Sequence, residues 1–381
     1  MTLQAEVTRS DERGDGEGMK VMTIVGTRPE IIRLSLIIDR LDRYADRHIL
    51  VHTGQNYTDS LSGVFFREMG IRPPDHILSN RQRSLGGQLA VIFEKLEPLL
   101  QREQPDRVLV LGDTNSALSA ILAERMGIPV VHMEAGNRCF DGQVPEEKNR
   151  RVIDAVSSIN MPYTPQSKAN LLREGVPVDR IVLTGNPIYE VLQTYESQID
   201  QSHILDRLKL RRGEYMLATI HRAENVDRPD TLASIFQGLN MVADTYGMRM
   251  ITSVHPRTRS RLQQSGDTEL HPLIELYEPF GFFDFVSLEK HAACVLTDSG
   301  TVQEECCLFH VPTVTVRTTT ERPETVDCGS NIVAGVRADG ITRAVSVQMA
   351  SGRSWICPEG YMERSVSDKV VKYMSGSVPS R

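Results

Sequence analysis

Val21-Met22-Thr23-Ile24-Val25 runs directly into Gly26-Thr27-Arg28-Pro29-Glu30. The first five residues form a short apolar, β-branched run, the mark of a buried strand. In the next five, Thr27 and Glu30 have the spacing of a capping box and Pro29 sits in the first turn, so a helix starts here. Its apolar positions recur at helical spacing over Glu30–Leu41. A strand, a tight turn and an amphipathic helix open a βαβ unit, which implies a parallel sheet with helices on both faces.

The same alternation extends outward. Further strands are predicted at Ile49–Thr53, Arg107–Leu111, Pro129–Met133 and Ile181–Thr184, with helical patterns at Leu89–Glu97 and Ala117–Arg125. From Ile188 to Leu210 the sequence is polar and helical without a strand. The alternation then restarts with Tyr215–Ile220, Arg249–Val254, Cys294–Thr297, Pro312–Val316 and Asn331–Ala334. A chain of 381 residues exceeds the usual single-domain length, so two α/β domains joined at the polar stretch are expected. The expected division is a polar, disordered head over 1–18, an N-terminal domain over 19–187 and a C-terminal domain over 188–364. Two doubly wound Rossmann-like halves facing each other place ligands in the cleft at the carboxyl ends of both sets of strands.

Composition removes several classes of function. No apolar run approaches the roughly 18 residues of a membrane helix, so no membrane partner is expected. The 43 basic and 50 acidic residues give a net charge of −7, which disfavours nucleic-acid binding through bulk positive charge. Five acids and two arginines place −3 of that charge in Met1–Gly18. This head has no apolar core or small-residue cleavage pattern, so it does not read as a signal peptide and the expected location is the cytoplasm. The six cysteines show no CxxC or Cys/His ligand spacing and read as reduced thiols.

Four clusters fall just after strands, where the chemistry is expected. The first is the helix start at Gly26–Glu30, where Arg28 adds a cation to N–H groups that already favour anions. The second contains Asp113 in Gly-Asp-Thr, Glu134 in His-Met-Glu-Ala-Gly and Glu146 in Pro-Glu-Glu. Any one of these acids reads as a helix cap. Together, near Arg138 and Arg150, they suit proton transfer under charge control. The third cluster pairs His221-Arg222 with His255-Pro256-Arg257, two histidines at one end of a sheet with arginines close behind. An anionic ligand fits them better than a metal, because no third ligand stands at useful spacing. The fourth is Asp298-Ser299-Gly300-Thr301-Val302-Gln303-Glu304-Glu305, followed by Thr320-Glu321-Arg322-Pro323-Glu324. Its free N–H groups can hold a diphosphate. Thr301 and Glu304 read as a second capping box, which leaves Glu305 as the carboxylate able to accept hydrogen bonds from a ribose diol.

In order, GTRPE, GDT, EAGNR, PEEKNR, HRAEN, DSGTVQEE and TERPE resemble the non-hydrolysing UDP-N-acetylglucosamine 2-epimerases from about Lys20 to Lys372. The resemblance implies the two-domain GT-B architecture, with a C-terminal helix at about 365–377 crossing back to the first domain. It implies a homodimer, a UDP-sugar substrate and no cofactor or metal. Arg28, Asp113, Glu134, Glu146 and His221 match the family's catalytic positions. Ser299 and Gly300 match its diphosphate loop, Glu305 its ribose carboxylate and Arg322 its nucleotide-side arginine; Arg33, Arg138, His255 and Phe282 complete the expected substrate-binding set. The implied reaction is inversion at C2 of UDP-GlcNAc to give UDP-ManNAc, through elimination of UDP to 2-acetamidoglucal and re-addition.

Three departures stand against that pattern. Arg33 replaces a common lysine and Asn137 a common leucine after Glu-Ala-Gly, both features of the branch acting on 6-deoxy or C3-modified UDP-N-acetylhexosamines. Gly54-Gln55-Asn56-Tyr57 stands where substrate-activated members carry Gly-Gln-His, which points to an altered or missing activator pocket. A hydrolysing relative that releases ManNAc and UDP, a GT-B glycosyltransferase and a non-catalytic sensor are the readings of other classes.

Overall fold

The protein is described from a computed structural model, over residues 18–54, 63–79, 82, 84–254, 256–265 and 269–376. The strands of the first half are β1 (Lys20–Val25), β2 (Arg47–His52), β3 (His76–Ile77), β4 (Arg107–Leu111), β5 (Val130–Met133) and β6 (Ile159–Met161). Those of the second are β7 (Tyr215–Thr219), β8 (Arg249–Ser253), β9 (Ile274–Tyr277), β10 (Cys294–Thr297), β11 (Thr313–Thr315) and β12 (Asn331–Val333). Each half is one six-stranded sheet, ordered β3-β2-β1-β4-β5-β6 and β12-β11-β10-β7-β8-β9. Read from its other edge, the second order is β9-β8-β7-β10-β11-β12, the same winding as the first. The paired strands are parallel, with Met22 against Ile49 and Val108, and Leu296 against Ala218 and Val314. Both halves therefore reverse direction between their first and fourth strands, and the crevice at such a point binds ligands.

The two doubly wound α/β halves are those read from the sequence, with corrections at the sheet edges. The sixth strand of the first sheet is Ile159–Met161, not Ile181–Thr184. Ile181 makes an isolated bridge to Asn160; Val182 N–H then donates to the Asn160 carbonyl at 2.9 Å and Thr184 N–H to Pro162 at 3.2 Å. That segment runs beside β6 without completing a ladder. The edge strands β3 and β9 carry no clear signal in the sequence.

Helix Arg28–Tyr44 follows β1, and its apolar face enters a core shared with β4, β5 and the last helix, Val366–Ser375. That last helix returns from the second half and buries Val366, Val370, Val371 and Met374 in the first. Arg40 fixes it through Asp368 at 2.6 Å and Ser367 Oγ at 2.8 Å, and Glu190 accepts the Ser367 N–H at 2.8 Å. Arg107 donates to the carbonyls of Tyr373, Met374 and Gly376 at the end of this helix, where a cation is favoured. Among the described residues no helix is long and apolar enough to cross a membrane. All six cysteines are free.

Candidate active site

The turn after β1 is built by close approach. A Cβ on Gly26 would lie 2.0 Å from Ser116 Oγ and 2.4 Å from Thr53 Oγ1, so only glycine fits. Glu30 reaches back to the N–H groups of Gly26 at 2.9 Å and Thr27 at 2.6 Å, and Thr114 Oγ1 donates to its other oxygen at 2.8 Å. Burial nevertheless pushes its carboxyl up to about 7, against those hydrogen bonds. This joins the loops after β1 and β4 and fixes where Arg28 and Asp113 leave them. After β5, Glu134 takes φ 66, a left-handed conformation costly for a residue with a Cβ. Such a backbone turns its carboxylate into the cleft.

Across the cleft, arginines and acids from both halves interlock. Arg33 joins Glu134 of its own half to Glu304 of the other. Arg322 completes the square, 2.7 Å from Glu134 and in contact with Glu304. All four side chains are buried. Burial would raise the Glu134 carboxyl, but Arg33 and Arg322 outweigh it and hold it down at about 2. Beside the square, Arg150 holds Asp113 at 2.7 Å and Glu147 at 3.0 Å and stands 3.9 Å from Glu321. Arg222 lies 3.3 Å from both Glu146 and Glu321. Among the described residues, Arg33 Nε, Tyr163 Oη, Glu146 Oε2 and Arg150 Nη2 are buried here without a hydrogen-bond partner.

The second half presents N–H groups. Asp298, wholly buried after β10, accepts from the backbone N–H of His221 and Arg222 and from Asn225 Nδ2 at 3.0 Å. Its carboxylate also lies 3.0 Å from His221 Nδ1, and His221 keeps nearly half its side chain exposed. Although burial opposes it, these partners hold Asp298 below the usual carboxylate range. Ser299 is the N-cap of helix Gly300–Leu308, so the first amides of that helix open toward the arginine square.

The structure thus brings Arg28, Arg33, Asp113, Glu134, Glu146, His221, Ser299, Gly300 and Arg322 to facing strand ends. Arg28 lies 5.5 Å over the Phe65 ring, and among the described residues no acid pairs with it. Four positions differ from the sequence reading. Glu304 is no cap; it is the carboxylate clasped by Arg33 and Arg322. Glu305 is 3% exposed, with the Glu289 carboxyl close by. Arg138 lies wholly buried beneath the site, spent on Glu174, Asp154 and the Asn137 carbonyl, which leaves it to brace the Glu134 loop instead of touching a ligand. Phe282 is buried at the start of helix Phe282–His291, where its N–H donates to Glu68 of the first half at 2.7 Å. His255 and the Gln55-Asn56-Tyr57 stretch lie outside the described residues.

Arg150, Arg222, Glu304 and Glu321 stand inside motifs singled out in the sequence, but their cross-cleft pairing depends on the approach of two domains. No local spacing reports that approach. No cluster of His, Cys, Asp or Glu able to hold a metal occurs among the described residues.

Residues 39–375 match the family model described as UDP-N-acetylglucosamine 2-epimerase. A UDP-N-acetylglucosamine 2-epimerase of Methanocaldococcus jannaschii is 39% identical over 351 residues, covering 90% of this chain and 95% of that protein. A UDP-2,3-diacetamido-2,3-dideoxy-D-glucuronate 2-epimerase of Pseudomonas aeruginosa is 34% identical, covering 87% and 92%. The crystal structure of the Methanocaldococcus jannaschii UDP-GlcNAc 2-epimerase in complex with UDP-GlcNAc and UDP superposes with a TM-score of 0.89 at 36% identity, over 94% of this chain and 99% of that one. With the motifs, the two equally wound halves and these matches in agreement, the chain belongs to the UDP-N-acetylglucosamine 2-epimerase family.

Proposed function

We propose that the protein interconverts UDP-GlcNAc and UDP-ManNAc by eliminating and re-adding UDP, without hydrolysing the sugar nucleotide. One observation carries this reading: Asp113, Glu134 and Glu146 of the first half face the Ser299–Gly300 helix start and Arg322 of the second. Departure of UDP from C1 requires stabilisation of a growing diphosphate charge, which helix amides and arginines supply. The same departure makes C2–H acidic. A carboxylate takes that proton as the C1–O bond breaks, giving 2-acetamidoglucal and UDP. Return of a proton to the other face of C2, as a diphosphate oxygen re-forms the bond to C1, inverts the centre.

The acids are not equivalent for this work. A carboxylate held near 2 by two arginines is a poor proton acceptor, so Glu134 suits charge control while Arg33 and Arg322 grip it. Among the described residues one oxygen of Glu146 has no partner, which suits it to carry a proton. His221, half exposed above Asp298, fits the diphosphate side. Glu305 remains the carboxylate proposed for the ribose diol.

Asn137 bears on the rival substrate. Its Oδ1 accepts from Ser167 Oγ at 2.8 Å in a buried setting, while its Nδ2 has no hydrogen-bond partner among the described residues, so packing satisfies only one end of the amide. The test is NMR of UDP-GlcNAc with the purified protein in deuterated water. The expected result is a growing UDP-ManNAc fraction with deuterium at C2 of both sugars. Retention of the C2 hydrogen through turnover would falsify the elimination route; release of free ManNAc would establish hydrolysis, and turnover of a 6-deoxy substrate alone would move the assignment to the modified-sugar branch.

A further inference from the structure

Three thiols converge at the far end of the helix whose amides open toward the cleft, and the chemistry above uses none of them. Cys307 lies wholly buried on helix Gly300–Leu308, a turn beyond Glu304. Its Sγ is 3.8 Å from the Sγ of Cys328, the residue that ends the short helix Pro323–Asp327. Arg322 is the N-cap of that same helix. Cys357 comes from the segment ahead of the last helix and donates to the Cys307 carbonyl at 3.6 Å, beside the Trp355 indole N–H at 2.9 Å. Among the described residues no group of His, Cys, Asp or Glu is arranged to hold a metal, so the three sulfurs are not a metal cage.

Cys307 and Cys328 differ in what surrounds them. Helix Gly300–Leu308 is buried from Val302 through Cys307. Cys328 is partly exposed, with Val326, Asp327 and Gly329 exposed around it, and Gly329 takes φ 85, which glycine adopts freely. A small oxidant therefore reaches Cys328 while Cys307 stays sealed in the core. The sulfurs of a disulfide stand about 2.05 Å apart, so bonding requires a closure of about 1.8 Å. That movement falls on the exposed turn, because the buried helix has no room to yield.

We propose that Cys307 and Cys328 form a redox site: a hydroperoxide joins them as a disulfide, which draws helix Pro323–Asp327 toward helix Gly300–Leu308, displaces Arg322 from the arginine square and weakens diphosphate binding. Arg322 responds because its guanidinium is fixed 2.7 Å from Glu134 and in contact with Glu304, whereas its backbone belongs to the helix that moves. The chemistry balances. The Cys328 sulfur attacks one peroxide oxygen, the O–O bond breaks, and a sulfenic acid forms as the leaving oxygen takes up the thiol proton. The Cys307 sulfur then attacks the sulfenic sulfur; the S–S bond forms, the S–O bond breaks and the hydroxyl departs as water with the second thiol proton. Two electrons pass from the thiols to the peroxide, and a dithiol returns them. The effect on binding rests on the proposed diphosphate role of Arg322, whereas the disulfide itself does not.

The experiment treats the full chain with hydrogen peroxide, maps its disulfides by mass spectrometry and measures Kd for UDP by calorimetry before and after dithiothreitol. The expected result is a Cys307–Cys328 link and a Kd raised about ten- to a hundredfold, the scale of one charge-assisted contact, with full recovery in dithiothreitol. Cys328→Ser should form no such link and keep its affinity at the same dose. Both thiols intact at a dose that oxidises methionines, or a Cys307–Cys357 link in place of the expected one, overturns the proposal in wild type alone. So does a loss of affinity that persists in Cys328→Ser or resists dithiothreitol. If the link forms and affinity is unchanged, reduced Arg322→Lys separates the causes. Weakened UDP binding in that variant overturns the coupling between the disulfide and Arg322; unaltered binding overturns instead the diphosphate role of Arg322 on which the effect stands.

Discussion

In the first half the loop after the first strand is tied to the loop after the fourth by Glu30, an acid on the β1 side that accepts a hydrogen bond from the Thr114 hydroxyl. In the second half the same two positions are tied the other way. Asp298, on the β10 side, receives the N–H groups of His221 and Arg222 from the β7 side. The two sheets wind alike, so the difference lies in the chemistry of the tie. Glu30 is buried with neutral donors and drifts toward its protonated form; Asp298 sits against a histidine and aligned amides and stays ionised. One winding thus serves two ends, a rim of carboxylates facing a rim of N–H groups and cations. An elimination needs both.

The division of labour predicts that substitutions in the two rims fail differently. Asp113→Asn and Glu146→Gln should each lower kcat about a hundredfold or more, the usual scale for a positioned acid or base, with little change in KM. Ser299→Ala should act on substrate affinity first. Steady-state rates with UDP-GlcNAc decide it, and a Glu146→Gln enzyme with normal turnover would return that acid to structure alone. The square between the rims predicts a stability effect. Arg322→Met leaves Glu134 and Glu304 with one arginine between them and should cost about 3–5 kcal/mol in urea unfolding, the scale for an orphaned buried charge.

The two ties should differ in pH dependence, with an effect up to about 3 kcal/mol for Glu30. Its carboxyl lies near 7 when folded against an ordinary value of 4.5, so its contribution is complete below about 4.5 and is lost as pH rises through about 7. Asp298 is depressed, so its contribution is present above about pH 4 and is lost as pH falls below that. Urea titrations across pH should show Glu30→Gln flattening the neutral limb and Asp298→Asn the acid limb; exchanged effects would break the comparison. The smallest effect belongs to the polar head. Deleting Met1–Gly18 should change stability by less than about 0.5 kcal/mol and leave the rate unchanged. A larger loss in either measurement would place the head in the cleft or on a partner.

The central strands were legible because each is a dense apolar run bounded by turn residues. Ile159-Asn160-Met161 was not, since three residues with a buried asparagine at their centre offer no periodicity. Ile181–Thr184 has the composition of a strand, and what keeps it from being one is where its neighbour ends. At the site, single residues announced themselves through motif and strand position, whereas their partners did not. Glu304 has the spacing of a cap from Thr301, and that local reading is sound until Arg33 arrives from 271 residues away. Arg138 departs in the other direction: a cation beside candidate catalytic acids suggests ligand binding, but its burial against Asp154 and Glu174 depends on a helix later in the chain.

The helix Val366–Ser375 closes the core of the half whose first strand begins at Lys20. During synthesis, the part of the apolar flank of helix Arg28–Tyr44 that this last helix covers therefore stays open until more than three hundred further residues have left the ribosome. The second half, contiguous in sequence apart from that excursion, can complete its own core earlier. Vectorial folding is thereby inverted, with the later-made half maturing first and the earlier-made half waiting. In the cell that interval is when the chain most needs a chaperone, and the stretch most exposed to misassociation is the one that opens the sequence.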